Sequence, residues 1–425
     1  MNNCHTFKSI IFLILLIAIS VNFNCSKGNK SDKLELRYYM WGTPTVANLH
    51  RQILNQFEKE NPGVSVRLEA SNWGAYWDKL QIQLASGAAP DVYWMSSAYF
   101  YNFVDAGVFM NMASYIKRDS VKLENYFQEG YPIKNKDEIY GLWKDMTTVV
   151  LFYNKNMFDE QGLAYPDESW DWNDFLVSSI KMTKDFNGDN IIDQWGTAAF
   201  MPYIEEYIGP MVFSNGGLVL NESKTKCLLD QPAAIEAIQF MVDLLRKHKV
   251  CVLPSQTGSV GGDPFMTGQV AMIQNISALI PEYSKVKNFQ WSIAPIPKSP
   301  HTNRRITTSG CLVHVINSDT KHPEISWKLV KFLSEAKAQT VMAESKLFAP
   351  SLKKVAQDIF IVPPPDNLTE VIKAADYAHD LQPTANWLEW NNAVQRELEP
   401  AFLGNKSVSE CCQAAVKAVD RIINE

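Results

Sequence analysis

Oxygen-bearing residues alternate between positions 185 and 193 of this 425-residue chain, which is the spacing of a Ca²⁺-binding loop. Gly196 stands at the twelfth place, where such loops carry a bidentate Glu, and Asn190 stands at the sixth place instead of Gly. A structural calcium site and an Asx-rich turn therefore both fit the pattern. The oxygen donors of the metal hypothesis are Asp185, Asn187, Asp189, Ile191 (through its carbonyl) and Asp193.

Motifs of nucleophilic, zinc-dependent and phosphate-binding catalysis do not occur in the sequence. It contains no Gly-x-Ser-x-Gly, no His-Glu-x-x-His and no glycine loop that would hold a phosphate. Its seven histidines are scattered, and carboxylate pairs are too common to define a glycosidase site. We therefore predict a protein that is not an enzyme and needs no cofactor for its function, with a secreted glycan-active enzyme as the alternative.

The seven cysteines show neither metal-ligand spacing nor the pattern of a disulfide scaffold. Cys4 lies in the N-terminal segment, and Cys25 follows it. The sequence leaves open whether Cys227 and Cys251 form a disulfide. The cysteines beyond the N-terminal segment are Cys227, Cys251, Cys311, Cys411 and Cys412.

The N-terminus resembles a bacterial lipoprotein signal. An apolar run of ten residues, 10–19, follows Lys8 and is too short to span a bilayer as a mature helix. Cys25 is followed by the polar spacer 26–32, although Asn24 replaces the usual Gly or Ala. We predict a signal peptide over 1–24, lipidation of Cys25 and a tether over 25–33. The protein would then be anchored on the extracytoplasmic side of a bacterial membrane, in the periplasm or at the cell surface. An ordinary signal peptide with a coincidental cysteine is the alternative.

The composition predicts two domains of ordinary size and no nucleic-acid partner. Removing residues 1–24 leaves 401. Lys and Arg number 40 against 46 Asp and Glu, and no basic cluster suggests nucleic acid. The 12 Trp, 16 Tyr and 21 Phe must mostly form core, but they are numerous enough to leave several for a ligand cleft.

Residues 46–94 have the pattern of an open α/β sheet. An amphipathic helix begins near Val46 and is broken by Asn61-Pro62-Gly63. An alternating strand starts at Val64, a second helix ends in the small-residue turn 85–90, and another strand opens at Asp91. In a sheet of this kind, ligand groups lie in loops at the strand ends.

This segment resembles the N-terminal lobe of extracellular solute-binding proteins of ABC importers, in the group that carries sugars. The family's F-E-x-x-x-P-G and A-S-G-x-x-P-D patterns stand at 57–63 and 85–91. Further matches follow in order at 153–155, 264–272 and 387–423. The resemblance implies an α/β, two-lobed periplasmic-binding-protein fold of type II, with discontinuous lobes joined by a hinge. Lobe 1 would comprise 34–146 and 311–350, and lobe 2 would comprise 147–310 and 351–425.

The resemblance also implies a function. The chain would be a monomeric receptor that captures a sugar or oligosaccharide in the cleft between the lobes and delivers it to ABC permease subunits in the membrane. A surface adhesin on the same fold is a further alternative. No arginine cluster falls in the predicted cleft loops, so an anionic ligand is disfavoured.

Candidate ligand-binding residues follow from the resemblance, because sugar receptors combine flat aromatic faces with fixed polar groups. Tyr203 after Pro202 matches a stacking position of maltodextrin-type receptors, whereas core packing is the alternative for each tryptophan. The predicted set is Trp41, Thr43, Trp73, Ser96, Ser97, Asp145, Thr147, Tyr203, Asn275, Ser277, Gly310, Trp387 and Trp390.

The lipoprotein hypothesis predicts the behaviour of a single substitution. Cys25→Ala removes the thiol that would carry the lipid, so the protein should be released in soluble form. Cys4→Ala is the control, since it removes a cysteine of the predicted signal peptide and should leave membrane association unchanged. Fractionation of cells into membrane and soluble pools measures both variants, and full retention of Cys25→Ala with membranes would disprove the anchor.

Overall fold

The computed structural model describes residues 33–127, 133–135, 137–252, 263–363 and 365–425. The predicted signal peptide and Cys25 lie outside these residues. Within the described ranges, no helix has both the length and the apolar character that crossing a membrane requires.

Two mixed sheets organise the fold. The first has five strands in the order β2-β1-β3-β13-β6, and the second has eight strands around β7, in the order β15-β12-β7-β10-β8-β9 with β11 and β14 also paired to β7. The strands are β1 Leu34–Trp41, β2 Val64–Ser71, β3 Val92–Ser96, β4 Lys134–Asn135, β5 Glu138–Ile139, β6 Gly141–Trp143, β7 Asp145–Asn154, β8 Trp195–Ala198, β9 Cys251–Val252, β10 Val270–Ile276, β11 Trp291–Ala294, β12 Thr307–Gly310, β13 Leu312–Ile316, β14 Ala349–Pro350 and β15 Ala378–His379.

Helices cover both sheets, and two π-helical turns, Ile204–Ile208 and Ala356–Phe360, interrupt the regular pattern. Short 3₁₀ turns occur at Ser97–Tyr99, Leu123–Asn125, Ser277–Leu279 and Ala375–Tyr377. The α-helices are α1 Pro44–Glu60, α2 Trp73–Ala85, α3 Phe100–Asp105, α4 Ala113–Arg118, α5 Lys155–Glu160, α6 Trp172–Met182, α7 Gly209–Ser214, α8 Pro232–Arg246, α9 Ile280–Tyr283, α10 Pro323–Ser334, α11 Ala336–Ser345, α12 Lys353–Val355, α13 Thr369–Ala374, α14 Trp387–Phe402 and α15 Val408–Ile423.

We call the part built on the five-stranded sheet lobe 1. Helix α1 packs on it through an apolar stripe that includes Leu49, Ile53 and Phe57, because residues three and four apart share one helix face. The strands β1, β2 and β3 run parallel, as the pattern of alternating strands and helices predicted, whereas β13 runs antiparallel to both β3 and β6. The α/β two-lobed fold expected from the sequence is the fold observed.

We call the part built on the eight-stranded sheet lobe 2. Its longest strand, β7, is buried along almost its whole length and pairs with β10, β11, β12 and β14. The closing helices α14 and α15 pack against each other and against α8, within one buried apolar cluster. Strand β7 is therefore the element on which lobe 2 is assembled.

The chain changes from one sheet to the other at three places close to one another. Strand β6 leads into β7 through Lys144, and β12 leads into β13 through Cys311. The third place is β14, whose Pro350 lies opposite Asp145 at the start of β7. On the next strand, Gly310 lies opposite Thr147. These three crossings run side by side and form the hinge between the lobes.

The start of α6 is set by a capping box. Ser169 and Asp171 both precede this helix, which begins at Trp172 and is capped by Asp171. The Asp171 carboxylate accepts the N–H of Asp174 at 3.1 Å, and Asp174 accepts the N–H of Asp171 at 3.0 Å. Ser169 donates to the Asp167 carboxylate instead. Two residue types that favour N-caps stand close together here, and the reciprocal capping box selects the later one.

The cysteines within the described residues are all free and buried. Cys251 lies in β9, where it pairs with Thr197 of β8 through the backbone. Cys227 instead forms an isolated backbone β-bridge with Leu220. A disulfide between Cys227 and Cys251 is therefore absent. Burial raises the pKa of the Cys251 thiol, which keeps it protonated and unreactive.

A buried ion pair stands at the first crossing. Lys144 Nζ lies 2.5 Å from Asp145 Oδ2, and the two side chains are 0% and 3% exposed. Burial lowers the pKa of Lys144, an effect that the adjacent Asp145 opposes. The ammonium also lies 4.3 Å from the ring centre of Trp94 and 3.3 Å from that of Phe348. Removing either charge would leave the other buried without compensation.

We therefore expect Lys144→Ala to lower the free energy of unfolding by about 3–5 kcal/mol, the usual cost of breaking a buried pair from one side. Urea denaturation measures this change. Lys354→Ala is the matched control, because Lys354 pairs with Asp358 at 2.6 Å on the surface and is 84% exposed. The control should leave the unfolding midpoint unchanged. Equal, small effects of the two substitutions would contradict a structural role for the buried pair.

Candidate ligand-binding site

A cavity of about 290 Å³ lies between the two lobes, close to the hinge. We call it the cleft cavity. Residues of β3, of the 3₁₀ turn after it and of α2 line it from lobe 1, and the first π turn and α14 line it from lobe 2. Its lining residues are Trp73, Ser96, Ala98, Tyr99, Tyr203, Ile204, Glu205, Glu206, Trp387, Asn391 and Gln395.

From lobe 1, the cleft cavity receives an aromatic wall. Trp73 opens α2 directly after Asn72, whose side chain caps the helix by accepting the N–H of Ala75 at 2.9 Å. The Trp73 side chain is 46% exposed and touches Trp77 and Tyr99 edge-on, with ring centres 5.3 and 6.0 Å apart. An exposed indole braced by other rings offers a flat apolar face to a ligand.

From lobe 2, Tyr203 faces the cavity and is 42% exposed. It precedes the π turn, in which the N–H of Ile208 donates to the Tyr203 carbonyl at 2.9 Å. The turn packs closely on β12: a Cβ on Gly209 would lie 2.7 Å from both the Ile204 carbonyl oxygen and the Thr308 methyl group. Glycine at this position therefore lets the turn that carries the site approach the hinge.

Some residues of helix α14 line the cavity, and others pack in the core. Trp387, Asn391 and Gln395 lie four residues apart, so they share one face and line the cavity. Trp390 was predicted as a ligand-binding residue, but it is fully buried and its Nε1–H donates to Thr384 at 2.9 Å. Trp390 packs edge-on against Trp387 with ring centres 4.5 Å apart. The prediction for Trp390 was wrong because it stands on the core-facing side of the helix.

Two consecutive carboxyl groups reach the cavity from the π turn. Burial, followed by the proximity of Glu206, raises the pKa of Glu205 to about 8. Burial likewise raises the pKa of Glu206. The backbone of this pair is fixed, since the Glu206 carbonyl accepts from Gln274 Nε2 at 2.7 Å and the Glu205 carbonyl accepts from the Thr308 hydroxyl. Glu205 therefore holds its proton to a higher pH than a free glutamate does, and the pKa of Glu206 is shifted in the same direction.

A second cavity, of about 280 Å³, lies beside the first and is also lined from both lobes. We call it the side cavity. Trp41 and Thr43 line it, together with Trp94 and Phe348 of lobe 1 and Lys285 of lobe 2. Trp41 packs edge-on against Trp73 of the cleft cavity, with ring centres 4.9 Å apart. The two indoles form a partition between the cavities.

The polar groups of three predicted ligand residues hold the hinge together instead. Asp145 uses one carboxylate oxygen for Lys144 and the other to accept the N–H of Leu312 at 3.0 Å. Ser97 accepts the N–H of Cys311 at 3.2 Å, which joins the 3₁₀ turn after β3 to the second crossing. Ser277 accepts the N–H of Thr148 at 3.1 Å. These three residues are buried and do not line the cleft cavity.

Three further predicted residues also lie outside the lining of the cleft cavity. Thr147 and Gly310 are opposite each other in the hinge strands, and Asn275 accepts the N–H of Ile276 at 2.8 Å with its own side chain. Gly310 nevertheless lies next to Glu205, a residue of the cavity lining, because a Cβ on Gly310 would be 3.1 Å from Glu205 Oε1. Of the predicted set, the structure places Trp73, Ser96, Tyr203 and Trp387 around one cavity.

The oxygen-rich segment 185–193 forms a network of Asx turns. The Asp185 carboxylate accepts the N–H groups of Gly188 and Asn190 at 2.7 and 2.8 Å, and Asp193 accepts that of Phe186 at 2.8 Å. Among the residues that the structure describes, no three His, Cys, Asp or Glu side chains converge on a possible metal position. The contacts fit the turn alternative, and calcium binding through Asp185, Asn187, Asp189, Ile191 and Asp193 stays a prediction.

Sequence reasoning missed Tyr99, Glu205, Glu206, Asn391 and Gln395. For the last two a signal existed: they follow Trp387 at intervals of four, which helical periodicity would have placed on the same face. The glutamates carried no comparable signal, because they point into the cavity through a π turn. A π turn adds one residue to the helical repeat and cannot be recognised from residue types alone.

A family comparison agrees with this geometry. The profile described as "Bacterial extracellular solute-binding protein" matches residues 43–340. The multiple sugar-binding protein of Streptococcus mutans is 24% identical over 342 residues, which covers 77% of this chain and 78% of that protein. A thiaminase from Paenibacillus thiaminolyticus is 25% identical over 150 residues, only 34% of this chain.

Solved structures share the fold. An ABC substrate-binding protein from Listeria monocytogenes, in complex with cycloalternan, superposes with a TM-score of 0.83 at 24% identity, covering 92% of this chain and 100% of that one. The maltose/maltodextrin-binding domain from Bdellovibrio bacteriovorus, bound to maltotriose, gives a TM-score of 0.77 at 19% identity over 92% of this chain and 100% of that one.

The two tyrosines of the π-turn region should respond differently to truncation. Tyr207 is buried, so Tyr207→Ala should lower the free energy of unfolding by about 3–5 kcal/mol, as loss of a core aromatic does. Tyr203 is 42% exposed, and Tyr203→Ala should cost about 0.5 kcal/mol or less. Denaturant titration of both variants checks the contrast. A large loss for Tyr203→Ala would show that its ring supports the core.

Proposed function

Since the chain belongs to the bacterial extracellular solute-binding protein family, we propose that it is the receptor of an ABC importer, which captures a sugar or oligosaccharide in the cleft cavity and delivers it to a membrane permease. The observation that carries this proposal is the exposure of Trp73 and Tyr203 on opposite lobes toward the same cavity. Sugar rings present apolar C–H faces that stack on aromatic side chains. The relatives reported above that bind sugars favour the same ligand class.

The polar lining of the cleft cavity suits hydroxyl groups. Ser96, Asn391 and Gln395 supply donors and acceptors, and Glu205 and Glu206 supply strong acceptors. Among the lining residues that the structure describes there is no Lys, Arg or His. The lining therefore offers no charge for a phosphate or carboxylate of a ligand.

The arrangement of carboxyl groups argues for binding rather than hydrolysis. A glycosidase places two carboxyl groups on either side of the scissile bond. Here Glu205 and Glu206 are consecutive residues of lobe 2, and the lining residues of lobe 1 include no Asp or Glu. The similar proteins that span most of this chain are binding proteins.

The location and assembly follow from the same proposal. The receptor would act as a monomer on the extracytoplasmic side of the membrane, held there by a lipid on Cys25. The tether 25–33 would keep the lobes beside the permease and leave them free to turn. This anchor is supported by the apolar run 10–19 and the polar spacer after Cys25.

A thermal-shift screen over neutral and amino mono- and oligosaccharides tests the proposal, because a ligand that binds only the folded state raises the melting temperature. The sugar with the largest shift is then titrated calorimetrically. Tyr203→Ala should weaken its binding on the order of ten- to a hundredfold, since a stacking ring is worth about 1–3 kcal/mol.

Phe186→Ala is the control, because Phe186 is 70% exposed and lies in the Asx-turn segment outside the cavity. It should leave the affinity unchanged. Chromatography of the recovered sugar distinguishes a binder, which returns it intact, from an enzyme. A screen in which no carbohydrate shifts the melting temperature would contradict the proposed function.

A further inference from the structure

The Glu205–Glu206 pair lies at the floor of the cleft cavity, against the hinge. Glu205 Oε1 is 3.1 Å from the position that a Cβ on Gly310 would occupy, and Ser97 Oγ is 3.8 Å from the same position. The carboxyl group of Glu205 is thus wedged between β12 and the turn after β3, where both lobes meet. A ligand that reaches the floor of the cavity meets this group.

The pair has no counter-charge within the described part of the chain. Neither glutamate takes part in an ion pair with another described residue, and the lining residues of the cavity carry no basic side chain. Glu69 shows what the fold does elsewhere: its carboxylate, 12% exposed, is held by Arg37 at 2.8 Å and Lys79 at 3.1 Å. Half-buried carboxyl groups without such partners are costly to ionise.

Aromatic residues line the same cavity as the unpaired carboxyl groups. Trp73, Tyr99, Tyr203 and Trp387 all line the same cavity. The face of such a ring attracts a cation, and a carboxylate pairs with a protonated amine through short, charge-assisted hydrogen bonds. An ammonium group would supply the missing positive charge, and its three N–H donors would match the acceptors of the pair. The rest of a sugar ring would stack on the aromatic faces.

We propose that the cleft cavity selects a carbohydrate that carries a protonated amino group, with Glu205 and Glu206 as its counter-charges. This inference rests on the proposed function, since it assigns the ligand class of the same cavity. A neutral sugar would leave the two carboxyl groups beside each other without a counter-charge, whereas the ammonium group of an amino sugar would supply one.

Matched sugars test the proposal. Glucose, galactose, mannose and cellobiose are each compared with the corresponding 2-amino-2-deoxy sugar and its N-acetyl derivative by calorimetric titration. At about pH 6.5 an amine whose pKa is near that of an α-amino group, about 8, is protonated. In at least one series the amino form should bind about tenfold or more tightly than its parent, and acetylation, which removes the charge, should abolish that gain.

Charge-neutralising variants locate the effect. Glu205→Gln and Glu206→Gln should each reduce the ratio of the affinity for the amino form to the affinity for its neutral parent about tenfold or more. Glu389→Gln is the control, because Glu389 is exposed on α14 outside the cavity and undergoes the same chemical substitution. Thermal melting confirms that each variant is folded, and two separate glutamate variants keep the test valid if one fails to fold.

The pH dependence gives an independent readout. Because the pKa of Glu205 is raised to about 8, Glu205 holds a proton below that pH, and a bound ammonium must displace it. Affinity for the amino form should thus rise as the pH approaches 8 and flatten in the Gln variants. The other titratable groups that face the pair are Tyr99, Tyr203 and Tyr207. Burial raises the pKa of Tyr99 and of Tyr207, so these two stay neutral over this range.

The outcomes separate the two proposals. If neutral sugars bind and no amino form binds more tightly than its parent, the amino-sugar inference is wrong and the receptor function stands. If an amino form is preferred equally by the Gln variants, the glutamates are not its counter-charges and the inference also fails. If no member of any series binds, both the inference and the sugar-receptor function are contradicted.

Discussion

The buried ion pair between Lys144 and Asp145 fixes the point at which the chain passes from one lobe to the other. Its energy depends on isolation from water, since each charge would be costly alone. Asp145 also accepts the N–H of Leu312, and Lys144 N–H donates to the Leu312 carbonyl at 2.8 Å, so the pair locks the first two crossings together. Gln339 donates to the Lys144 carbonyl at 2.6 Å. Two elements that line the cleft cavity are bonded to the second crossing or to β12, which leads into it: the 3₁₀ turn after β3 through Ser97, and the first π turn through Glu205 and Thr308.

The cleft cavity is a consequence of that arrangement. Strand β12 carries Gly310 under Glu205, and the π turn carrying both glutamates is bonded to β12 and β10. The turn can approach the hinge only because residue 209 has no side chain. Polar groups that were predicted as ligand contacts, such as those of Ser97 and Ser277, form hydrogen bonds within the hinge instead. The residues that face the cavity are others, whose side chains do not hold the hinge together.

The sequence predicted the parts of this fold that depend on local chemistry. The helix before Asn61-Pro62-Gly63 and the strand after it were placed within two residues, because proline and glycine end helices for reasons internal to the segment. The lining of the cleft cavity was predicted only in part. Trp73 and Tyr203 line it, and their role in ligand binding stays a prediction. The side chains beside them depend on the phase of α14 and on a π turn. The phase of α14 and the π turn are both set by contacts between segments that are distant in the chain, and such contacts cannot be predicted from residue types alone.

Helix α14 has a consequence for how such a protein can change over generations. Its register is fixed by Trp390, Val394 and Leu398, which are fully buried. Asn391 and Gln395 lie on the adjoining face of the helix and line the cavity. Mutations at these two positions therefore change the hydrogen-bonding groups that face a ligand, while the fold is retained. Selection must therefore preserve the buried positions of α14, whereas substitutions at its cavity-lining positions can change the ligand specificity during evolution while the fold stays stable.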